Sequence, residues 1–190
     1  MKKFCEEGQL DKAIHSLNLL DEGGYRVSSS IFYRLLQECS TKGNLQIAKD
    51  LYRLIIKSGF ATDVFLGSHL IRLFTFFGTL TEAYHVFCNV CKPNVFAWTA
   101  IISAHSKLGQ GEVGFDLYIK MLESDVKPDG FAFVAALQAC ISSLSLKQGK
   151  LVHAHILEAS FESDIIANAL MDLYIKCGSV VDAQRILTIS

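Results

Sequence analysis

Two parallel rows of small residues run the length of this chain and divide it into units too short to close separate cores. The first row is Ala13, Ala48, Ala83, Gly114, Gly149 and Ala183, spaced 35, 35, 31, 35 and 34 residues apart. The second is Gly8, Gly43, Gly78, Gly109, Leu144 and Gly178, with the same five spacings and one residue, Leu144, out of character. Pro93 and Pro128 stand one 35-residue step apart. Cys39 and Cys140 match at three units' distance, 101 residues, as do Phe60-Ala-Thr-Asp63 and Phe161-Glu-Ser-Asp164. Self-similarity at this period marks a repeat architecture, in which each unit stacks on the next.

Each unit reads as a pair of helices. After Val95, the residues Trp98, Ile101, Ile102 and His105 fall at i, i+3, i+4 and i+7. Gly109 stops that helix. Val113, Leu117, Tyr118 and Met121 repeat the helical spacing. Pro128 then ends the unit, because proline forces its predecessor out of helical geometry. The small residues mark where paired helices approach closely. The pattern predicts helices near 9–21, 30–41, 45–57, 65–76, 80–90, 95–107, 111–123, 130–141, 146–158, 165–176 and 180–188. Neither helix of a pair can bury its apolar face alone. The expected fold is therefore all-α, a right-handed α-solenoid of stacked helical hairpins.

Composition narrows the function. Hydrophobic residues make up 51% of the 190 and charged residues 19%, which excludes intrinsic disorder. Lys and Arg number 18 against 19 Asp and Glu, so no global basic surface exists and a nucleic-acid site has to be local. No run of about 18 uncharged apolar residues occurs, so no membrane span is expected. The first seven residues carry neither an apolar signal core nor an Arg- and Ser-rich transit character. The six cysteines are expected as reduced thiols, most of them buried as small hydrophobes.

The unit Val95-Phe-Ala-Trp-Thr-Ala-Ile-Ile-Ser-Ala-His-Ser-Lys-Leu-Gly109, closing on Val126-Lys-Pro-Asp129, resembles a pentatricopeptide repeat. The alternation of 35- and 31-residue units is similar to the plant PLS subclass, whose long (L), short (S) and standard (P) motifs come in triplets. Gln148-Gly-Lys-Leu-Val-His-Ala-His155 looks like an L motif, and Asn168-Ala-Leu-Met-Asp-Leu-Tyr-Ile-Lys-Cys-Gly178 like an S motif. The resemblance implies a partial repeat over 1–28, L over 29–63, S over 64–94, P over 95–129, L over 130–164 and a cut S motif over 165–190. The chain then looks like a fragment. The Trp-x2-Leu-Gly-x2-Tyr pattern of tetratricopeptide repeats, the structural neighbour, is absent, and the 31-residue unit also speaks against them.

Modular readers of this kind use one helical repeat per base, with two or three side chains on its edge. The resemblance assigns the choice to the fifth residue of each motif and the last residue before the next. These are Ser68 with Asn94, which resembles an adenine reader, and Thr99 with Asp129, which resembles a guanine reader. Aspartate only accepts hydrogen bonds and guanine offers donors, whereas asparagine does both, which suits adenine. Asn168 resembles a pyrimidine reader whose partner lies beyond Ser190, and one residue appears deleted before it. Tyr33 with Asp63 and Val134 with Asp164 depart from a readable pattern and are expected to be spacers or weakly selective. Phe65, Phe96 and Phe131 are implied to pack between bases, and Lys107 and Lys176 to meet phosphates. The residues taken singly have plainer readings. Ser68, Thr99 and Asp129 could be helix caps, and the phenylalanines could be core.

No enzyme chemistry is expected. Cys88, Cys91 and His85 lack a second ligand pair for zinc, and His153 and His155 point to different helix faces, so no metal or cofactor is predicted. No histidine has Glu two residues later, as a zinc deaminase requires, and no phosphate loop or nucleophile elbow occurs. The resemblance implies binding of single-stranded organellar RNA with a core 5′-N-A-G-N-Y-3′, with neither DNA nor membrane as partner. It implies a parent protein acting in mitochondria, slightly favoured, or chloroplasts. That parent would mark sites for C-to-U editing or other RNA processing alongside editing-complex proteins. Near-neutral charge keeps open a protein-binding helical scaffold without an RNA role, and the cut ends keep open a fragment without function. Salt dependence of binding separates RNA from protein partners, since phosphate contacts weaken as salt rises.

Overall fold

The computed structural model of the chain describes residues 10–23, 25–161 and 163–189. Cys5, one of the six cysteines, Gly8 of the second small-residue row and Glu162 of the long-range match lie outside the described residues. Those described form eleven helices and no strand. They are α1 (Leu10–Glu22), α2 (Ser29–Lys42), α3 (Leu45–Lys57), α4 (Val64–Phe76), α5 (Leu80–Asn89) and α6 (Val95–Lys107). The rest are α7 (Gly111–Glu123), α8 (Gly130–Ser142), α9 (Leu146–Glu158), α10 (Asp164–Lys176) and α11 (Val180–Ile189). Every helix end falls within one residue of the sequence expectation. None is long and apolar enough to cross a membrane. The chain divides into two compact units that meet in sequence at Ala97 and Trp98, inside α6.

The helix starts have local causes. Ser28, Asn44, Asp63, Ser145 and Ser163 each accept a hydrogen bond from a backbone N–H two or three residues on, satisfying a donor that the helix leaves orphaned. The stops are local too. Gly78, Gly109 and Gly178 adopt φ of 73°, 76° and 77°, the left-handed conformation that closes a helix, and Leu144 adopts φ 50° in the same place.

In the first unit, α2 packs on both α3 and α4, α1 packs on α3, and α4 packs on α5. The first helices of successive hairpins therefore lie side by side. Phe32, Leu35, Cys39, Leu51, Leu70, Ile71 and Phe74 are fully buried between the layers. Gly67 lets α4 close on Val90, whose methyl occupies the place a Cβ would take. On the far side, Lys49 and Glu82 join α3 to α5 at 2.6 Å, beside a hydrogen bond between the Tyr52 hydroxyl and His85 Nδ1 at 3.0 Å.

The second unit repeats the plan. Helix α8 packs on α7, α9 and α10, and α11 packs on α10. Lys150 and Asp182 join α9 to α11 at 3.0 Å, in the place of Lys49 and Glu82. The long-range sequence match has a packing reason. Phe60 turns its ring edge onto Phe32 at 6.0 Å, and Phe161 onto Phe133 at 5.7 Å, each closing the loop over the first helix of its hairpin.

The cysteines divide differently from expectation. Cys39 and Cys140 are buried, and burial pushes their thiols up to about 11 and about 12, so both stay protonated. Cys88 and Cys91 are exposed and Cys177 is half-buried. Cys88 misses the core because it follows Val86 and Phe87, which take the inward face of the ten-residue α5.

Candidate nucleic-acid interface

Alternate helices α2, α4, α6, α8 and α10 begin with the same two positions in register. The residue before each helix is Ser28, Asp63, Asn94, Asp129 or Ser163. The fifth residue of each is Tyr33, Ser68, Thr99, Val134 or Asn168. Helix α10 starts at Asp164, so Ser163 stands where Asp63, Asn94 and Asp129 stand, and Asp164 is instead the first helical residue. The shortening lies before Ser163, whose hydroxyl takes the capping bond from Ile166 N–H at 3.4 Å. Counting from that helix start puts Asn168 fifth without any adjustment.

Ser68 and Asn94 are brought together although 26 residues separate them. The Ser68 Oγ lies 2.6 Å from the Val64 carbonyl and 2.9 Å from Asn94 Oδ1. Asn94 Oδ1 also accepts from the Ala97 N–H at 3.0 Å. A backbone N–H only donates, so the atom it meets must be the amide oxygen, and the orientation of Asn94 is fixed. Serine has one hydroxyl proton, so the Val64 carbonyl and Asn94 Oδ1 share it, and the Ala97 N–H supplies the amide oxygen's independent bond. The Asn94 NH2 group remains as a donor, and the Ser68 oxygen retains accepting capacity, a donor and an acceptor side by side. Ser68 is not a helix cap: it sits inside α4 and bonds back one turn.

Thr99 and Asp129 are arranged differently. Asp129 Oδ1 accepts from the Ala132 N–H at 2.8 Å and caps α8, as the plainer reading held. Its second oxygen carries no such bond. The Thr99 hydroxyl is buried without a hydrogen-bond partner. Asp63 likewise caps α4 through Leu66 at 2.9 Å. Val134 is half-buried, and Asn168 is exposed.

Phe65, Phe96 and Phe131 are the second residues of α4, α6 and α8 and are 71%, 65% and 68% exposed, so they are not core. Ile165, the second residue of α10, is 61% exposed in the same place. Sequence reasoning missed it because counting from 165 made it first; counting from the cap at Ser163 would have found it. Lys107 ends α6 and is exposed. Lys176 ends α10 and pairs with Asp172 at 2.9 Å. His85, one of the sequence's candidate zinc ligands, has Nδ1 within 3.3 Å of Asn89 as well as bonded to Tyr52.

A second group lies between α2 and α4, which sequence reasoning did not single out. Leu36, Ser40, His69, Arg72, Leu73 and Phe76 line a groove there. Burial first, and then the charge of Arg72, hold the His69 imidazole below its ordinary range.

The model of the PPR repeat family matches residues 93–142. A chloroplastic pentatricopeptide repeat-containing protein of Arabidopsis thaliana is 32% identical over 183 residues, which is 95% of this chain and 21% of the relative. A mitochondrial one from the same plant is 28% identical over 188 residues, 98% of this chain and 24% of the relative. The chain thus spans about a fifth to a quarter of the length of these relatives. Among solved structures, the PPR domain of Arabidopsis thaliana protein-only RNase P 1, crystallised in complex with tRNA, superposes with a TM-score of 0.70 at 12% identity. That match covers 97% of this chain and 94% of the domain. Nuclear proteinaceous RNase P 2 from the same plant gives a TM-score of 0.73 at 13% identity, covering 93% of this chain and 41% of that one. At such identities the likeness shows the fold, stacked helical hairpins.

Proposed function

Because the chain belongs to the pentatricopeptide repeat family, we propose that it binds single-stranded RNA, one base per hairpin, at the starts of α2, α4, α6, α8 and α10. The observation that carries this reading is the Ser68–Asn94 contact at 2.9 Å. Two residues chosen as one base-reading pair adjoin, with a donor and an acceptor left for a ligand. Adenine's Watson–Crick edge offers the complement, N1 to accept and N6 to donate. The exposed phenylalanines support stacking between bases, worth about 1–3 kcal/mol per base. The order of units is read as L, S, P, L, S of the PLS subclass, with a core 5′-N-A-G-N-Y-3′. Tyr33 with Asp63, and Val134 with its neighbours, contribute little selectivity. Since relatives are named chloroplastic and mitochondrial, the compartment is an organelle, and the parent protein specifies transcripts for C-to-U editing or other processing. The chain binds and does not catalyse; the chemical step belongs to another domain or a partner protein.

The test is Thr99→Asn. Asn beside Asp129 is a pair that resembles a uracil reader, and Trp98, Ile101 and Ile102, which are buried, keep their packing. Competition binding with four RNAs differing only at the third base is expected to move the preference from G to U by about 1–3 kcal/mol. The A preference one base upstream persists, because it belongs to Ser68 and Asn94. A uniform loss across all four RNAs would make Thr99 structural and the assigned register wrong.

A further inference from the structure

The groove between α2 and α4 gathers hydrogen-bond donors around one cation. An Arg72 nitrogen lies 3.3 Å from His69 Nδ1. A guanidinium only donates, so that ring nitrogen is the acceptor and the His69 proton sits on Nε2. The lowered affinity of His69 for a second proton agrees with this neutral tautomer. Tyr33 meets the His69 ring edge-on at 4.8 Å and 90°. Its hydroxyl accepts from Gln37 Nε2 at 3.1 Å, which leaves the phenolic proton to donate. Arg72 pairs with no carboxylate among the described residues, and its other N–H groups remain unassigned. Phe76, 71% exposed, supplies an apolar edge to the same groove.

We infer that Tyr33, His69 and Arg72 form a binding site for a phosphodiester of single-stranded RNA, on the 5′ side of the adenine taken by Ser68 and Asn94. Three donors and one positive charge suit an acceptor-only anion; among bases only the O6/N7 edge of guanine presents acceptors alone, and it carries no charge to meet Arg72. Tyr33 then serves the RNA backbone rather than a base, which gives a physical reason for the first hairpin to lack selectivity. The inference rests on the RNA reading proposed above.

The experiment measures binding of the whole chain to unstructured RNA oligonucleotides carrying the A-G core, with each of the four bases in turn just before the A. Arg72→Gln removes the charge at an exposed helix position and keeps a good helix former. The expected result is an equal loss of about 3–10-fold on all four RNAs, with the slope of log affinity against log salt shallower by about 0.7. Tyr33→Phe keeps the ring contact and removes one donor, so a uniform loss of about 2–5-fold is expected. Unchanged affinity and unchanged slope for both variants would overturn the site. So would a loss confined to one of the four bases, which would make these residues base readers. If the unaltered chain bound no RNA at all, the RNA reading would fall and this site with it, whereas failure of the site alone leaves the A and G preferences intact.

Discussion

Leu144 occupies a place where three equivalent turns have glycine. Its φ of 50° is left-handed, against 73° to 77° for Gly78, Gly109 and Gly178. A side chain with a Cβ holds that conformation at a cost of about 1 kcal/mol. The Leu144 side chain is 65% exposed, so it returns little by burial. Leu144→Gly is therefore expected to raise stability by about 0.5–1 kcal/mol, read as a higher urea midpoint with unchanged slope. A lower midpoint would mean that the leucine packs on something its exposure does not reveal. Asn94 teaches a related lesson at the same scale. Capping is the rival reading of Ser68, Thr99 and Asp129 in the sequence; Asn94, for which no capping role is read there, caps α6 through Ala97 with its oxygen while its nitrogen remains to donate. A polar side chain with two functional atoms can hold both roles.

Where helices touch, glycine matters for a different reason. A Cβ on Gly111 would meet the Ala139 carbonyl oxygen and the Ser143 nitrogen, both of them backbone. A Cβ on Gly114 would lie 3.1 Å from the Ala139 Cβ and 3.2 Å from the Ser106 hydroxyl, contacts that small shifts relieve. Alanine also favours a helix interior over glycine by about 1 kcal/mol. Gly111→Ala is expected to destabilise by about 2–3 kcal/mol, since α7 would have to back away from α8. Gly114→Ala is expected to stay within about 0.5 kcal/mol of the parent. Thermal unfolding of the two variants side by side decides this, and equal effects would sink the distinction. The sequence made the Gly114 row visible because it recurs, and it made every helix visible because apolar spacing and turn glycines agree. Gly111 was not legible, since no other hairpin needs glycine there. Arg72 was hidden for the opposite reason. In its column stand Gln37, Arg72, Ser103, Gln138 and Asp172, and a lone cation carries no periodic signal. The fifth-residue column was legible from spacing and from family resemblance together. What only coordinates supplied was which of its members bond to the residue before the next helix.

Across the whole chain, 18 basic and 19 acidic groups nearly cancel, yet they are not spent in the same places. Lys49 with Glu82 and Lys150 with Asp182 neutralise each other where α3 meets α5 and where α9 meets α11. On the proposed RNA reading, so little net charge gives little long-range attraction, and discrimination has to come from short-range pairs. That reading assigns two complete pairs, Ser68 with Asn94 and Thr99 with Asp129, in that order along the chain. If successive hairpins take successive bases from 5′ to 3′, the order of bases matters as much as their identity. An RNA carrying 5′-AG-3′ is then expected to bind more tightly than the same RNA carrying 5′-GA-3′. The reversed order offers each pair the wrong purine. At about 1 kcal/mol or more per mismatch, the gap is at least about 30-fold. Both oligonucleotides have the same composition and charge, so counterion release cancels between them and the ratio holds as salt is raised while both affinities fall. Fluorescence anisotropy at two salt concentrations measures it. A ratio near one at both concentrations would mean that the chain grips the backbone without reading order. A ratio inverted in favour of 5′-GA-3′ would mean that the strand runs the other way.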